Sequence, residues 1–187
     1  MQKSSGLKPT QPPIHDLLAG KVRRAEKGRG AATLVIRLGL TVLVMVILLG
    51  VVGGAARVRG ESMEPTLRDG NVVLLYRLGK ARKGDIVVLR RGVERTELVK
   101  RVVAVGGDEL RLDGEGRLLV NGERETYSVF RGVTQPKENG VSFPYRVPEG
   151  RVFLMGDNRE AARDSRELGA VPTRDIIGVV ITIVGRQ

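Results

Sequence analysis

Apolar and polar positions follow two different rhythms along this chain, and the change falls near residue 57. Before it lies one unbroken apolar run, LGLTVLVMVILLGVVGGAA, nineteen residues from 38 to 56 without a charge. At a rise of about 1.5 Å per residue it crosses most of a hydrocarbon core about 30 Å thick. Ala31 to Ile36 lengthen the run if Arg37 turns its guanidinium back toward the interface. A transmembrane helix is therefore predicted over 31–56. The main rival is a cleaved leader, since Gly53-Gly54-Ala55-Ala56 resembles a small-residue cleavage site. A leader's apolar core, however, is only about 7–15 residues long and lies nearer the N-terminus, so an uncleaved anchor is the reading adopted.

From residue 57 onward the apolar positions come in short Val/Leu/Ile-rich runs: NVVLLYRL, GDIVVLRR, ELVKRVVAV, ELRLDGEGRLLVNGE, RVFLMGD and IIGVVITIVG. Turn signals separate them, among them Asp69-Gly70, Lys83-Gly84-Asp85, Gly106-Gly107-Asp108, Asp113-Gly114 and Asn121-Gly122. The pattern predicts an all-β domain over 57–187 built mostly from hairpins, one of them turning near Asp113 to Gly116. Four aromatics (Tyr127, Phe130, Phe143 and Tyr145) cluster in a proline-bearing stretch. They fit a satellite core beneath a long loop, or a patch at a lipid interface.

Charge and composition narrow the picture. The net charge of +11 invites a nucleic-acid reading, but residues 1–37 carry eight Lys/Arg against only Asp16 and Glu26. A basic block directly before an apolar span fits a cytoplasmic flank under the positive-inside rule better than a nucleic-acid arm. Residues 1–30, rich in Pro, Gly and charge, are expected to form a disordered tail, at most transiently helical. There are no cysteines, so neither a disulfide nor a thiolate metal site is available. The single histidine, His15, lies in the tail, which excludes a multi-histidine zinc site and argues against a Ser-His-Asp triad.

The stretch RGESMEPTLRDGN, residues 59–71, sets Ser62 shortly after the span. A serine hydroxyl needs a base to become a nucleophile. With histidine excluded, the bases left are a carboxylate, the terminal amine or a lysine, and a lysine serves only if burial disfavours its charge. In TELVKRVVAV, residues 96–105, alternation puts Lys100 on one face with Leu98, Val102 and Ala104. Arg101 lies opposite with Val99, Val103 and Val105, and is expected to be paired or to reach an edge. On this pattern alone Lys100 reads more readily as an edge residue.

Four blocks in order change that balance. GESMEPTL (60–67), KGDIVVLR (83–90), VKRVVAVGGDEL (99–110) and FLMGDNREAARDSRELG (153–169) together resemble bacterial type I signal peptidases, membrane-anchored Ser/Lys endopeptidases, over roughly residues 35–183. The resemblance implies an all-β, mainly antiparallel β-ribbon or barrel-like catalytic domain behind a single N-terminal transmembrane helix. It makes Ser62 the nucleophile, Lys100 the general base and the Ser62 backbone N–H the oxyanion donor. Asp164 and Arg166 become a structural ion pair, and Gly156-Asp157-Asn158 a turn beside the site. Met63 and Pro65 are expected to touch substrate.

Two departures stand out. Ala161-Ala162 occupy the place of the family's usual Asn-Ser, whose serine can hydrogen-bond the lysine, so packing, another hydroxyl or water must orient Lys100 here. Gly60 stands two residues before Ser62, where some members carry an assisting hydroxyl. The implied substrates are signal peptides of exported preproteins, bound in extended form and cut after small residues of Ala-x-Ala type. The implied partners are the lipid bilayer and the secretion machinery, with no cofactor, metal or nucleic acid. The implied location is the cytoplasmic membrane, single-pass, with the N-terminus inside and the catalytic domain outside. The alternative is an inactive or specialised tethered relative acting as a scaffold.

Overall fold

The computed structural model of the chain describes residues 14–91, 96–125 and 130–185. Its first element is the helix α1, Ile14–Val52. Within it Ala32–Val52, 21 residues of mean hydropathy 2.7, is long and apolar enough to cross a membrane. None of this segment is buried by the rest of the protein, and large apolar side chains from Leu34 to Val51 stand exposed. Two boundaries differ from the sequence expectation. The helix begins at Ile14, so residues 14–30 are helical rather than part of a disordered tail. Ala, Leu, Glu, Lys and Arg dominate there, and their intrinsic helix preference outweighs the scattered glycines. The span also ends at Val52, not Ala56: Gly53–Arg57 is a β-strand, β1. A Cβ at Gly53 would sit 2.8 Å from the Leu49 carbonyl oxygen, and apolar small residues suit a paired strand as well as a helix end.

The remaining strands are β2 (Val72–Tyr76), β3 (Ile86–Arg91), β4 (Thr96–Val105), β5 (Glu109–Leu112), β6 (Leu118–Val120), β7 (Glu123–Arg124), β8 (Tyr145–Arg146), β9 (Arg151–Met155), β10 (Val171–Pro172) and β11 (Ile176–Val184). A single helical turn, α2 (Ser165–Leu168), follows β9. The strands form two sheets in which every pairing is antiparallel, as the turn-punctuated sequence predicts: seven strands in the order β1-β2-β11-β3-β4-β9-β10, and four in the order β7-β6-β5-β8. The expected hairpin is β5–β6, with Leu112 opposite Leu118. Its turn is stabilised by Asp113 Oδ1, which accepts from the N–H groups of Glu115 and Arg117 at 2.9 Å each.

Three apolar clusters make the core. One gathers Val58, Met63, Leu67, Val73, Val88 and Val99. A second gathers Val103, Leu110, Phe153 and Met155. The third holds Val87, Leu89, Val102, Leu154 and Val171, with Leu98 packed against it. Phe143 and Tyr145 pack on Phe153, with ring centroids 6.4 and 5.3 Å away, which is the satellite-core reading rather than a lipid patch. Phe130 lies under the Arg159 guanidinium at 4.2 Å, and Tyr127 falls outside the described residues.

Strand β4 positions the chemistry. Opposite β3, Lys100 faces Val87 and Leu98 faces Leu89, so the lysine does share a face with Leu98 and Val102 as its alternation predicts. The alternation does not run to the end. The register against β9 shifts between Val102 and Ala104, and beyond it Val105 returns to the Leu98/Val102 cluster while Ala104 joins the Phe153 cluster.

Candidate active site

The segment from Gly60 to Gly70 is a loop closed at its base and nailed to the core. Val58 N–H donates to Asn71 O at 2.8 Å and Gly70 N–H to Val58 O at 3.0 Å. Inside that closure Gly60 N–H donates to Asp69 Oδ1 at 2.7 Å, and φ at Gly60 is +75°, a conformation that costs glycine little. Met63 and Leu67 are fully buried and fix the loop from within, while Ser62, just before Met63, stays half-exposed. Met63 is therefore a core side chain, a correction to its expected contact with substrate. Pro65 is exposed but lines a cavity with Thr66, Arg68 and Ile183 that neither Ser62 nor Lys100 enters.

Lys100 comes to meet Ser62 from β4. Its Nζ lies 2.7 Å from Ser62 Oγ and donates to the Val99 carbonyl at 3.1 Å. The residue is 5% exposed, and it lines a small, mainly apolar pocket with Leu89, Leu98, Leu154 and Leu168, beside Asp164 and Ser165. Burial is the largest influence on the amine and holds its pKa below the ordinary lysine value; Asp164 and then Asp157 pull upward without prevailing. The contact decides against the edge-residue reading of Lys100. It also answers the question raised by Ala161-Ala162. Val99 O accepts one N–H of the amine, and packing in the pocket holds the rest of the side chain in place beside the serine.

The last block closes over this pair. Asn158 N–H donates to Ser62 O at 3.1 Å. A Cβ at Gly156 would stand 2.4 Å from both Ser62 O and Ala162 Cβ, so only glycine permits the approach. The expected Asp164–Arg166 ion pair is present: Arg166 Nε and Nη2 donate to the two carboxylate oxygens at 2.9 Å each. Asp164 also caps α2 and accepts from Gly156 N–H at 3.1 Å. Asp157, expected only as a turn residue, is the partner of Arg101, whose Nε and Nη2 reach its oxygens at 2.8 and 2.7 Å. Thr66 Oγ1 donates to the same carboxylate.

A further layer was not singled out from the sequence. Arg159, 1% exposed, donates to Gly156 O at 3.2 Å, to Thr134 Oγ1 and to Glu125 Oε1. Its neighbour Arg131 forms a parallel bridge with Asn158. Arg159 lies inside the GDNR stretch, so its place in a block was the available signal; Glu125 lies in none.

A groove is lined by residues of β1, β3 and β4. Strand β4 pairs with β9 from Arg101 onward, and among the described residues the edge Thr96–Lys100 has no strand partner on that side. Among the described residues, strand β1 pairs only with β2. Ala55, Arg57 and Arg59 line one wall of the groove, and Arg90, Thr96 and Glu97 the other. A strand edge without a partner can pair with an extended peptide. The Ser62 N–H donates to no described residue.

The family described as signal peptidase, peptidase S26 matches residues 31–184. The chain is 33% identical over 133 residues to signal peptidase I of Bacillus licheniformis, covering 65% of this chain and 70% of that protein. It is also 33% identical over 141 residues to signal peptidase IB of Staphylococcus aureus, covering 66% and 73%. The crystal structure of a signal peptidase I from Enterococcus faecalis V583 aligns with a TM-score of 0.46 at 24% identity, over 56% of this chain and 99% of that one. With a match across most of its length and relatives at this identity, the chain belongs to the peptidase S26 family of signal peptidases.

Proposed function

We propose that this chain is a membrane-anchored endopeptidase that removes signal peptides from exported preproteins, with Ser62 as nucleophile and Lys100 as general base. The observation that carries the reading is the 2.7 Å contact between Lys100 Nζ and Ser62 Oγ in apolar surroundings. A neutral amine there accepts the hydroxyl proton as the serine oxygen attacks the scissile carbonyl. The oxyanion of the tetrahedral intermediate faces the Ser62 N–H, which is free to donate. The resulting ammonium gives its proton to the departing amine, leaving an ester on Ser62. Lys100 then takes a proton from the water that hydrolyses the ester, and returns it to the serine oxygen.

The substrate enters as an extended strand between the edges of β1 and β4, with small side chains one and three positions before the cut. The apolar helix holds the chain in the bilayer. The basic flank Lys21 to Arg37 favours an N-terminus inside and a catalytic domain outside, where preproteins leave the secretion machinery. The scaffold alternative rested on the missing serine at Ala162, and the Val99 carbonyl supplies the orientation that residue would have given. The test is cleavage of a preprotein with an Ala-x-Ala site by the detergent-solubilised chain. Ser62→Ala and Lys100→Ala each abolish it on this account; substantial cleavage by either variant defeats the assignment.

A further inference from the structure

Two carboxylates act on the Lys100 amine, Asp164 from the start of α2 and Asp157 from the end of β9. Left bare, either would favour the ammonium, and an ammonium is useless as a base. Neither is bare. Arg166 covers Asp164 with two hydrogen bonds of 2.9 Å, and Arg101 covers Asp157 with two of 2.8 and 2.7 Å. All five side chains are buried. Arg101 is the immediate chain neighbour of Lys100, on the opposite face of β4, and its Nη1 also donates to Gly84 O at 2.7 Å. The remaining cation lining the lysine's pocket, Arg163, pairs with Glu167 at the exposed mouth.

The charge balance is the point. With the amine neutral, the two aspartates and two arginines sum to zero, and protonating Lys100 buries an uncompensated positive charge. Without Arg101 the same cluster carries one negative charge, and protonation neutralises it. We propose that Arg101 is a positioning residue for the reaction: by covering Asp157 it keeps the Lys100 amine unprotonated at working pH, as Arg166 does by covering Asp164. This rests on Lys100 being the base.

The test is the acid limb of the pH profile of kcat/KM, measured on the full-length chain in detergent with one preprotein. Arg101→Met moves the limb up by about one pH unit, and Asp157→Asn moves it down by a similar amount. The double variant Arg101→Met/Asp157→Asn returns it close to the original position. A pair that only shapes the site lowers the rate without moving the limb, or moves both single variants the same way; either result overturns the proposal. Should Arg101→Met fail to fold, Asp157→Asn alone decides, because its limb must fall. Lys100→Ala separates the two layers. If it still cleaves, the base assignment is wrong; if it is dead while the limbs stay put, only the role of Arg101 fails.

Discussion

An ammonium at the position of Lys100 would have Leu89, Leu98 and Leu154 for neighbours, which is why the amine there gives up its proton more readily than an ordinary lysine. The sign for activity follows. In the proposed mechanism the neutral form is the base, so the rate should rise with pH through the lowered pKa and fall about tenfold for each unit below it. Gly156 works by what it lacks, since the Ser62 carbonyl occupies the space a Cβ would need. Gly156→Ala should push the serine out of line with Lys100 and lower kcat/KM by about 10²-fold, measured by preprotein cleavage; an unchanged rate would mean that the loop yields freely. At this scale the sequence was informative about which side chains meet where each lies in a block, Ser62 with Lys100 and Asp164 with Arg166. It was silent on Val99, whose contribution is a carbonyl, and on the Arg101–Asp157 pairing. That pairing joins residues 56 positions apart through the register of β4 against β9.

Among the elements, α2 depends most on a single side chain. Asp164 caps it, holds Gly156 N–H and neutralises the buried Arg166. Asp164→Ala leaves that guanidinium buried without a counter-charge, and should cost about 3–5 kcal/mol of stability, read from the midpoint of urea unfolding. A loss below about 1 kcal/mol would place the pair among surface bridges. Strand existence and the β5–β6 turn were legible from Val/Leu/Ile runs and Asp-Gly signals. The phase change within β4 was not, because a bulge is fixed by the partner strand rather than by local periodicity. Gly53 to Ala56 misled for a related reason: small apolar residues fit a helix end and a paired strand equally, and pairing with β2 settled it.

For the molecule as a whole, the chain divides into two compact units, residues 1–48 and 49–187. The absence of cysteines makes the orientation across the membrane easy to read. A membrane-impermeant maleimide should label Glu138→Cys from outside intact cells, and Ser4→Cys only after lysis; the reverse pattern would invert the proposed topology. The division into anchor and β-domain was legible because a nineteen-residue uncharged run and turn-punctuated strands differ in period. The helical start at Ile14 was not, because its polar, glycine-bearing composition also suits a disordered tail. The account as a whole turns on one proton, so its most direct test is the titration of the Lys100 amine itself. NMR of the solubilised, lysine-labelled chain, assigned with Lys100→Arg, measures it. The amine should titrate below the ordinary lysine value of about 10.4, at the same pH as the acid limb of preprotein cleavage. An amine that titrates at the ordinary value or above it, in a chain that still cleaves through Ser62, would contradict the mechanism.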